Sequence, residues 1–297
     1  MLAEPDAPAG ASRPKGGVSR RELGLLLGLL ALAAVVRLGW PGLTEFKADE
    51  GRLLTLALDM ADGRFATHGL SSSVGFPNAP MSVWIYVLPL VLWPHAYAAT
   101  LFTGLLGVLA VAGIYWLARR FWGMRAALAA TLMFVVSPWA ILFSRKIWAQ
   151  NLLQIFAVGW AISAVLAFIE GRRVFLVFHI VLLAVAIQIH PSSLGLLPAT
   201  AVFLIIFRRR VHWRYVMLGG LLALLTAAPF LWYLWGRWQV SGGLPFSSGQ
   251  SAASVSLDSV RLMASIAIGD GLAPIAGSDY SVPMLGVLAR AVWLAFI

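Results

Sequence analysis

From Leu23 to Trp235 the chain repeats one pattern, an apolar run rich in Leu, Ala and Val followed by a short turn. The runs lack apolar–polar alternation, so they read as helices rather than barrel strands. In lipid a spanning segment must satisfy its own backbone groups, which a helix does. Composition agrees: 60% of residues are hydrophobic, 11% are charged and mean hydropathy is +0.85, too apolar for a soluble domain of 297 residues. The prediction is an all-α polytopic membrane protein. A net charge of +10 would suggest nucleic acid in a soluble chain, but here arginine pairs flank apolar runs and mark topology and headgroup contact, so no nucleic-acid partner is expected. With no cysteine there is neither a disulfide nor a thiolate metal site. The 13 tryptophans gather near run ends, as interfacial anchors do.

Charge sets the order of the spans. Residues 1–20 read as a disordered cytoplasmic tail, rich in Pro, Ala and Gly. A secretory or twin-arginine signal at Ser19-Arg20-Arg21 is the competing reading, disfavoured because many further spans follow and Arg37-Leu-Gly-Trp is a poor cleavage site. Residues 21–235 form the membrane catalytic module, with a first outer loop over 41–95. In that loop Ala48–Ala61 carries an apolar stripe with a polar back, and Met81–Trp93 is short and holds Pro89. Both are expected to lie in the interface. The spans are then Leu23–Leu38, Ala96–Leu117, Ala126–Phe143, Ile147–Ile169, Val174–Ile189, Leu194–Phe207 and Tyr215–Trp235, about seven complete transmembrane helices. This order puts Arg119, Arg120, Arg125, Arg172, Arg173 and the Arg208–Arg214 cluster inside, as the bias in basic residues requires. Residues 236–282 read as a flexible outer loop, and 283–297 as the start of an incomplete eighth helix, which suggests a truncated reading frame. The expected location is the plasma membrane, multi-pass, with a cytoplasmic N-terminus.

Polar side chains then collect at the outer ends of helices: Asp49, Glu50, Asn78, Arg145, Lys146, Gln150, Asn151, Gln188 and His190. The first outer loop holds Glu45, Asp49, Glu50, Asp59 and Asp62, whereas mid-span the clearest ionisable residue is His179. Charge gathered at one face suits an enzyme whose substrates meet at the outer leaflet, and it places an active site on the extracytoplasmic face around Asp49. A transporter keeps carboxylates or histidines at the midplane. Asp49 and Glu50 are read in two compatible ways, as a helix cap and first-turn acids, or as a general base whose neighbour binds a sugar hydroxyl or a metal. Arg145 and Lys146 either snorkel to headgroups or hold a lipid phosphate and stabilise it as a leaving group. Gln150 and Asn151 offer amides to sugar hydroxyls. His190 before Pro191 is a helix break or a contact to phosphate or metal. Asn78 lies in a Pro-flanked turn, Gly75-Phe-Pro-Asn-Ala-Pro80, ahead of the second interfacial helix. Asp59, Asp62 and Arg64 read as a solvated helix face, and Asp258, Asp270 and Asp279 as loop solvation.

An Asp-Glu pair before an amphipathic helix, Ser137-Pro138-Trp139 leading into Phe143-Ser-Arg-Lys-Ile-Trp-Ala-Gln-Asn151, and Gln188-Ile-His190 leading to Leu196-Leu-Pro198 occur in that order. Over about Glu22 to Arg237 this resembles the glycosyltransferase C superfamily, in the family-39-like branch that includes protein O-mannosyltransferases and lipid A aminoarabinose transferases. The resemblance implies a hexosyl- or pentosyltransferase moving a sugar, with inversion, from a polyprenyl-phosphate donor to a hydroxyl of a glycan, lipid or protein acceptor. It implies Asp49 as base, and Asn78 is read as a substrate contact. Relatives often place a basic residue or His before a Pro-Pro pair where this chain has Asn78-Ala-Pro80, which leaves the phosphate to Arg145 or Lys146. No cofactor is implied, and a divalent metal stays open. The competing readings are a lipid or sugar transporter, an inactive scaffold or fragment, and a glycan polymerase or ligase.

Overall fold

A computed structural model describes residues 17–71 and 76–241; most of the expected tail, most of the late outer loop and the expected eighth helix lie outside these residues. Among the described residues nine helices form: α1 (Arg20–Leu38), α2 (Ala48–Ala61), α3 (Met81–Leu92), α4 (Ala96–Val136), α5 (Pro138–Arg145), α6 (Leu153–Ala164), α7 (Val174–Ile189), α8 (Leu196–Ile206) and α9 (Trp213–Ser241). Short 3-10 turns at Ala149–Leu152 and Pro191–Gly195 lead into α6 and α8, and a π-turn at Val165–Ile169 ends α6. Among the described residues there is no strand, only an isolated bridge between Ser71 and Pro77. The all-helical expectation holds. By length and apolarity Ala96–Val136, Ala149–Ile169 and Trp213–Ser241 are long enough to cross a membrane, while Met81–Leu92, Val174–Ile189 and Pro191–Ile206 are shorter apolar helices.

Ser19 starts α1, its hydroxyl accepting from the Glu22 N–H at 3.1 Å. α4 is two helices joined at Gly123, whose φ of 80° and ψ of −178° suit only glycine. The halves fold back on each other: Val111 and Val135 share one buried cluster with Ala33 of α1, and Tyr115, Ala118 and Ala127 share another. The basic turn at Arg119–Arg125 is therefore the tip of a hairpin, as the charge order suggested.

The expected span Ala126–Phe143 is not one continuous helix. Ser137 leaves helical geometry (ψ 118°) and Pro138 opens α5. Pro138 has no N–H for the Phe134 carbonyl. The buried Arg37 of α1 supplies the missing donors, to Phe134 O at 2.9 Å and Val135 O at 3.1 Å. The last helix also departs from expectation, continuing past Trp235 to Ser241.

The molecule has two polar ends. At one, Arg119 pairs with Glu22 at 2.5 Å, and Glu170 takes Arg120 at 3.1 Å and Arg172 at 3.0 Å. Arg210 joins there by donating to the Phe168 and Ile169 carbonyls. The three basic turns thus meet at one end. At the other end, α2 and α3 pack over the helix ends: Leu53, Leu54 and Ala57 meet Val83, Tyr86, Leu90, Ala99, Ile147, Leu152 and Ile189. Withdrawing each such large side chain from interfacial water stabilises the cap by roughly 1.5–3 kcal/mol.

Candidate active site

The site grows from the first turn of α2. Glu50 lies on the stripe with Leu53, Leu54 and Ala57 and is buried with them. One carboxylate oxygen accepts the Lys47 N–H at 3.0 Å, and the other lies 3.1 Å from the Lys146 ammonium. Lys47, not Asp49, is the N-cap residue, and its side chain makes no cap bond. The reading of Asp49 as the cap is thereby corrected, because Glu50 closes the helix start from within. Asp49 turns outward, its side chain 58% exposed and 3.7 Å from Arg52 one turn on.

Lys146 is buried between α5 and the 3-10 turn, beside two acids. Besides Glu50 it binds Glu45, from the segment between α1 and α2, and Glu45 also binds Lys47. Trp148 places its ring 4.8 Å beneath the ammonium, and Asn151 donates to the Lys146 carbonyl at 2.8 Å. Hydrogen bonds from Lys146 and Lys47 hold the Glu45 carboxyl below its ordinary range despite partial burial. Burial opposes the charge on Lys146, but its bonds and attraction to Glu45 and Glu50 outweigh this and hold it above the usual lysine value. By formal charge the cluster sets two basic side chains against two acidic ones.

Arg145 and Lys146 are neighbours with different surroundings. Arg145 donates to the Val36 carbonyl at 3.2 Å and the Trp40 carbonyl at 2.5 Å, tying down the end of α1. The chain turns there through Trp40 at φ 51°. Thr44 returns the tie by donating to the Arg145 carbonyl at 3.0 Å.

Gln150 and Asn151 line an open cleft of about 440 Å³ with Phe143, Trp148, Leu153 and Gln154. It is apolar along its length and meets amide groups near Lys146. Asn78 closes a turn, its side chain and N–H both donating to the Leu70 carbonyl, at 3.1 and 2.9 Å. His190 caps the following 3-10 turn, Nδ1 accepting from the Ser192 N–H at 3.2 Å, and burial lowers its pKa. Its neighbour Ile189 packs in the same cluster as Leu53 and Ile147, so His190 belongs to this end of the molecule. Among the described residues no three His, Asp or Glu side chains are grouped to hold a metal ion. The residues to which the sequence reading gave no role in the site are Glu45, Thr44 and Trp148. Glu45 carried one signal, an acid in the loop facing an out-of-place lysine.

Residues 77–233 match the family model of the dolichyl-phosphate-mannose-protein mannosyltransferases, just over half of the 297 residues. The chain belongs to that family, and so to the glycosyltransferase C superfamily. The matched part of this mannosyltransferase-family chain holds Asn78, Arg145, Lys146, Gln150, Asn151 and His190, while Glu45, Asp49 and Glu50 precede it. The fold resembles the crystal structure of ArnT from Cupriavidus metallidurans bound to undecaprenyl phosphate, with a TM-score of 0.60 at 18% identity. That likeness covers 93% of this chain and 54% of ArnT, so the chain spans about half the length of that protein. Among curated proteins none matches.

Proposed function

We propose that the chain carries the catalytic module of a membrane glycosyltransferase that moves a sugar from a polyprenyl-phosphate donor to an acceptor hydroxyl at the extracytoplasmic face, with inversion. One observation carries the reading: a buried lysine at the end of the bundle opposite the arginine turns, beside a cleft and paired at 3.1 Å with Glu50, the residue that follows Asp49. The family description names a dolichyl-phosphate donor and ArnT is bound to undecaprenyl phosphate, which supports a polyprenyl phosphate here. The arginine end faces the cytoplasm of a plasma membrane and the Lys146 end faces outward, in keeping with the distribution of basic residues.

In this reading the donor phosphate lies at Lys146 and its isoprene tail follows the cleft along Phe143, Trp148 and Leu153. Gln150 and Asn151 bind sugar hydroxyls, and His190 and Asn78 border the same end. The acceptor oxygen attacks the anomeric carbon as its proton passes to Asp49. The bond from that carbon to the phosphate oxygen breaks, and polyprenyl phosphate leaves with the electron pair. A phosphate leaving group needs a cation rather than an acid, and a hydroxyl nucleophile gains from a base. Arg145 holds the backbone on which this geometry rests. The sugar is a hexose or pentose, and the acceptor a glycan, lipid or protein hydroxyl.

The test is transfer of label from radiolabelled polyprenyl-phosphate sugars in membranes holding wild type or Asp49→Asn. Transfer by wild type that disappears in the folded variant supports the assignment. Transfer that survives the substitution removes Asp49 as the base.

A further inference from the structure

Lys146 faces a difficulty if a phosphate is to bind it, because its charge is already balanced. Lys146 and Lys47 stand against Glu45 and Glu50, and the sum is zero. Adding a phosphate beside the buried Lys146 and Glu50 leaves an uncompensated anion, which is expensive at low dielectric. Binding is favourable only if one carboxylate gives way.

The two acids differ in how firmly they are held. Glu50 sits within α2 with its side chain 2% exposed, and its second oxygen is fixed by the Lys47 N–H at 3.0 Å. Withdrawing it would undo the helix start and leave that N–H without its acceptor. Glu45 belongs to no helix, and its side chain is 24% exposed. It already touches Lys47, whose side chain is 71% exposed and offers a partner in solvent. Thr44, its neighbour, fastens the segment to the Arg145 carbonyl through one hydroxyl.

We propose that Glu45 is an exchangeable stand-in for the donor phosphate: it occupies the Lys146 ammonium in the resting protein and yields it when a polyprenyl phosphate binds. This rests on the reading of Lys146 as the phosphate site. The exchange keeps two anionic partners on Lys146 in both states, Glu50 with Glu45 at rest and Glu50 with the phosphate when the donor is bound. It also selects for the anion. A polyprenol without phosphate cannot displace a carboxylate, and so gains nothing from Lys146. On the product side the returning carboxylate competes with the spent polyprenyl phosphate and speeds its release.

The experiment measures binding of farnesyl phosphate, and of farnesol as the uncharged control, to the whole chain in detergent micelles. Wild type is compared with Glu45→Gln, Thr44→Val and Lys146→Gln. Removing the competing charge in Glu45→Gln should tighten farnesyl phosphate about tenfold, by the reasoning that an occupied site lowers apparent affinity by its occupancy. Thr44→Val, which keeps every charge and loosens the segment, should tighten it severalfold and decides the matter if Glu45→Gln does not fold. Farnesol binding should stay the same throughout, as a general change in packing would not allow. Farnesyl phosphate binding that is unchanged or weaker in the folded Glu45→Gln protein, with Lys146→Gln losing it, overturns the exchange and leaves the phosphate site standing. Wild-type binding by Lys146→Gln removes the phosphate site itself, and the exchange with it.

Discussion

The carboxylate of Glu50 bridges the Lys146 ammonium at 3.1 Å and the Lys47 N–H at 3.0 Å, joining the start of α2 to the loop after α5, nearly a hundred residues along the chain. It is a tertiary contact and a helix cap in one group. Its removal from either side should therefore be felt in the fold as well as in the site.

Lys146→Met leaves Glu50 a buried carboxylate without its cation. The expected loss of stability is about 3–5 kcal/mol, as for one broken side of a buried pair. The double variant Lys146→Met with Glu50→Gln should recover a substantial part of it. Chemical denaturation of the two single variants and the double variant measures this coupling, and strict additivity would refute it.

The same cluster sets a pH window. The Glu45 pKa is lowered below its ordinary 4.5, so its contribution is present above that value and is lost as pH falls through the still lower folded value. The Lys146 pKa is raised above its ordinary 10.5, so its contribution is full below that value and is lost as pH rises through the higher folded one. The cluster's share of the melting temperature should be flat between these limits and fall outside them, and Glu45→Gln should soften the acid limb. An acid limb identical in Glu45→Gln and wild type would count against the pairing.

Arg145 and Lys146 should separate in function. Arg145→Lys cannot reach both the Val36 and Trp40 carbonyls with one ammonium. About 1–3 kcal/mol of stability should go with charge-assisted bonds of this kind. Farnesyl phosphate binding by the folded protein should persist. Loss of binding equal to that of Lys146→Gln would make Arg145 part of the phosphate site.

Gly123→Ala should destabilise the chain by about 1–3 kcal/mol through backbone strain alone. A Cβ at this position meets no atom within 4 Å, so crowding does not enter. Denaturation midpoints read the effect. A neutral substitution would mean that the reversal between the halves of α4 does not need the positive φ.

Much of this was legible in the residues. Apolar runs bounded by arginines gave the helices, and charge order gave a hairpin at Arg119–Arg125 that the packing of Val111 on Val135 matches. The orientation of Asp49 and Glu50 was also written in the spacing, since Glu50, Leu53, Leu54 and Ala57 fall on one helical face while Asp49 falls with Arg52. The break at Ser137 was signalled by Pro138, but its tolerance depends on Arg37, about a hundred residues away, and no local pattern reports that. Glu45 was hidden for the same reason. Its meaning comes from Lys146, and the closeness of the two is made by α2 and α5 converging, not by spacing along the chain.

The opposite end of the molecule uses a different chemistry. Its pairs, Glu22 with Arg119 and Glu170 with Arg120 and Arg172, all employ guanidinium groups, planar and directional, whereas the buried pair at the other end turns on the Lys146 ammonium, a point charge that takes partners from any direction. These pairs tie α1, α4 and the end of α6 together away from the proposed phosphate site, which makes the arginine end the natural reference frame for measuring any rearrangement that a ligand provokes around Lys146.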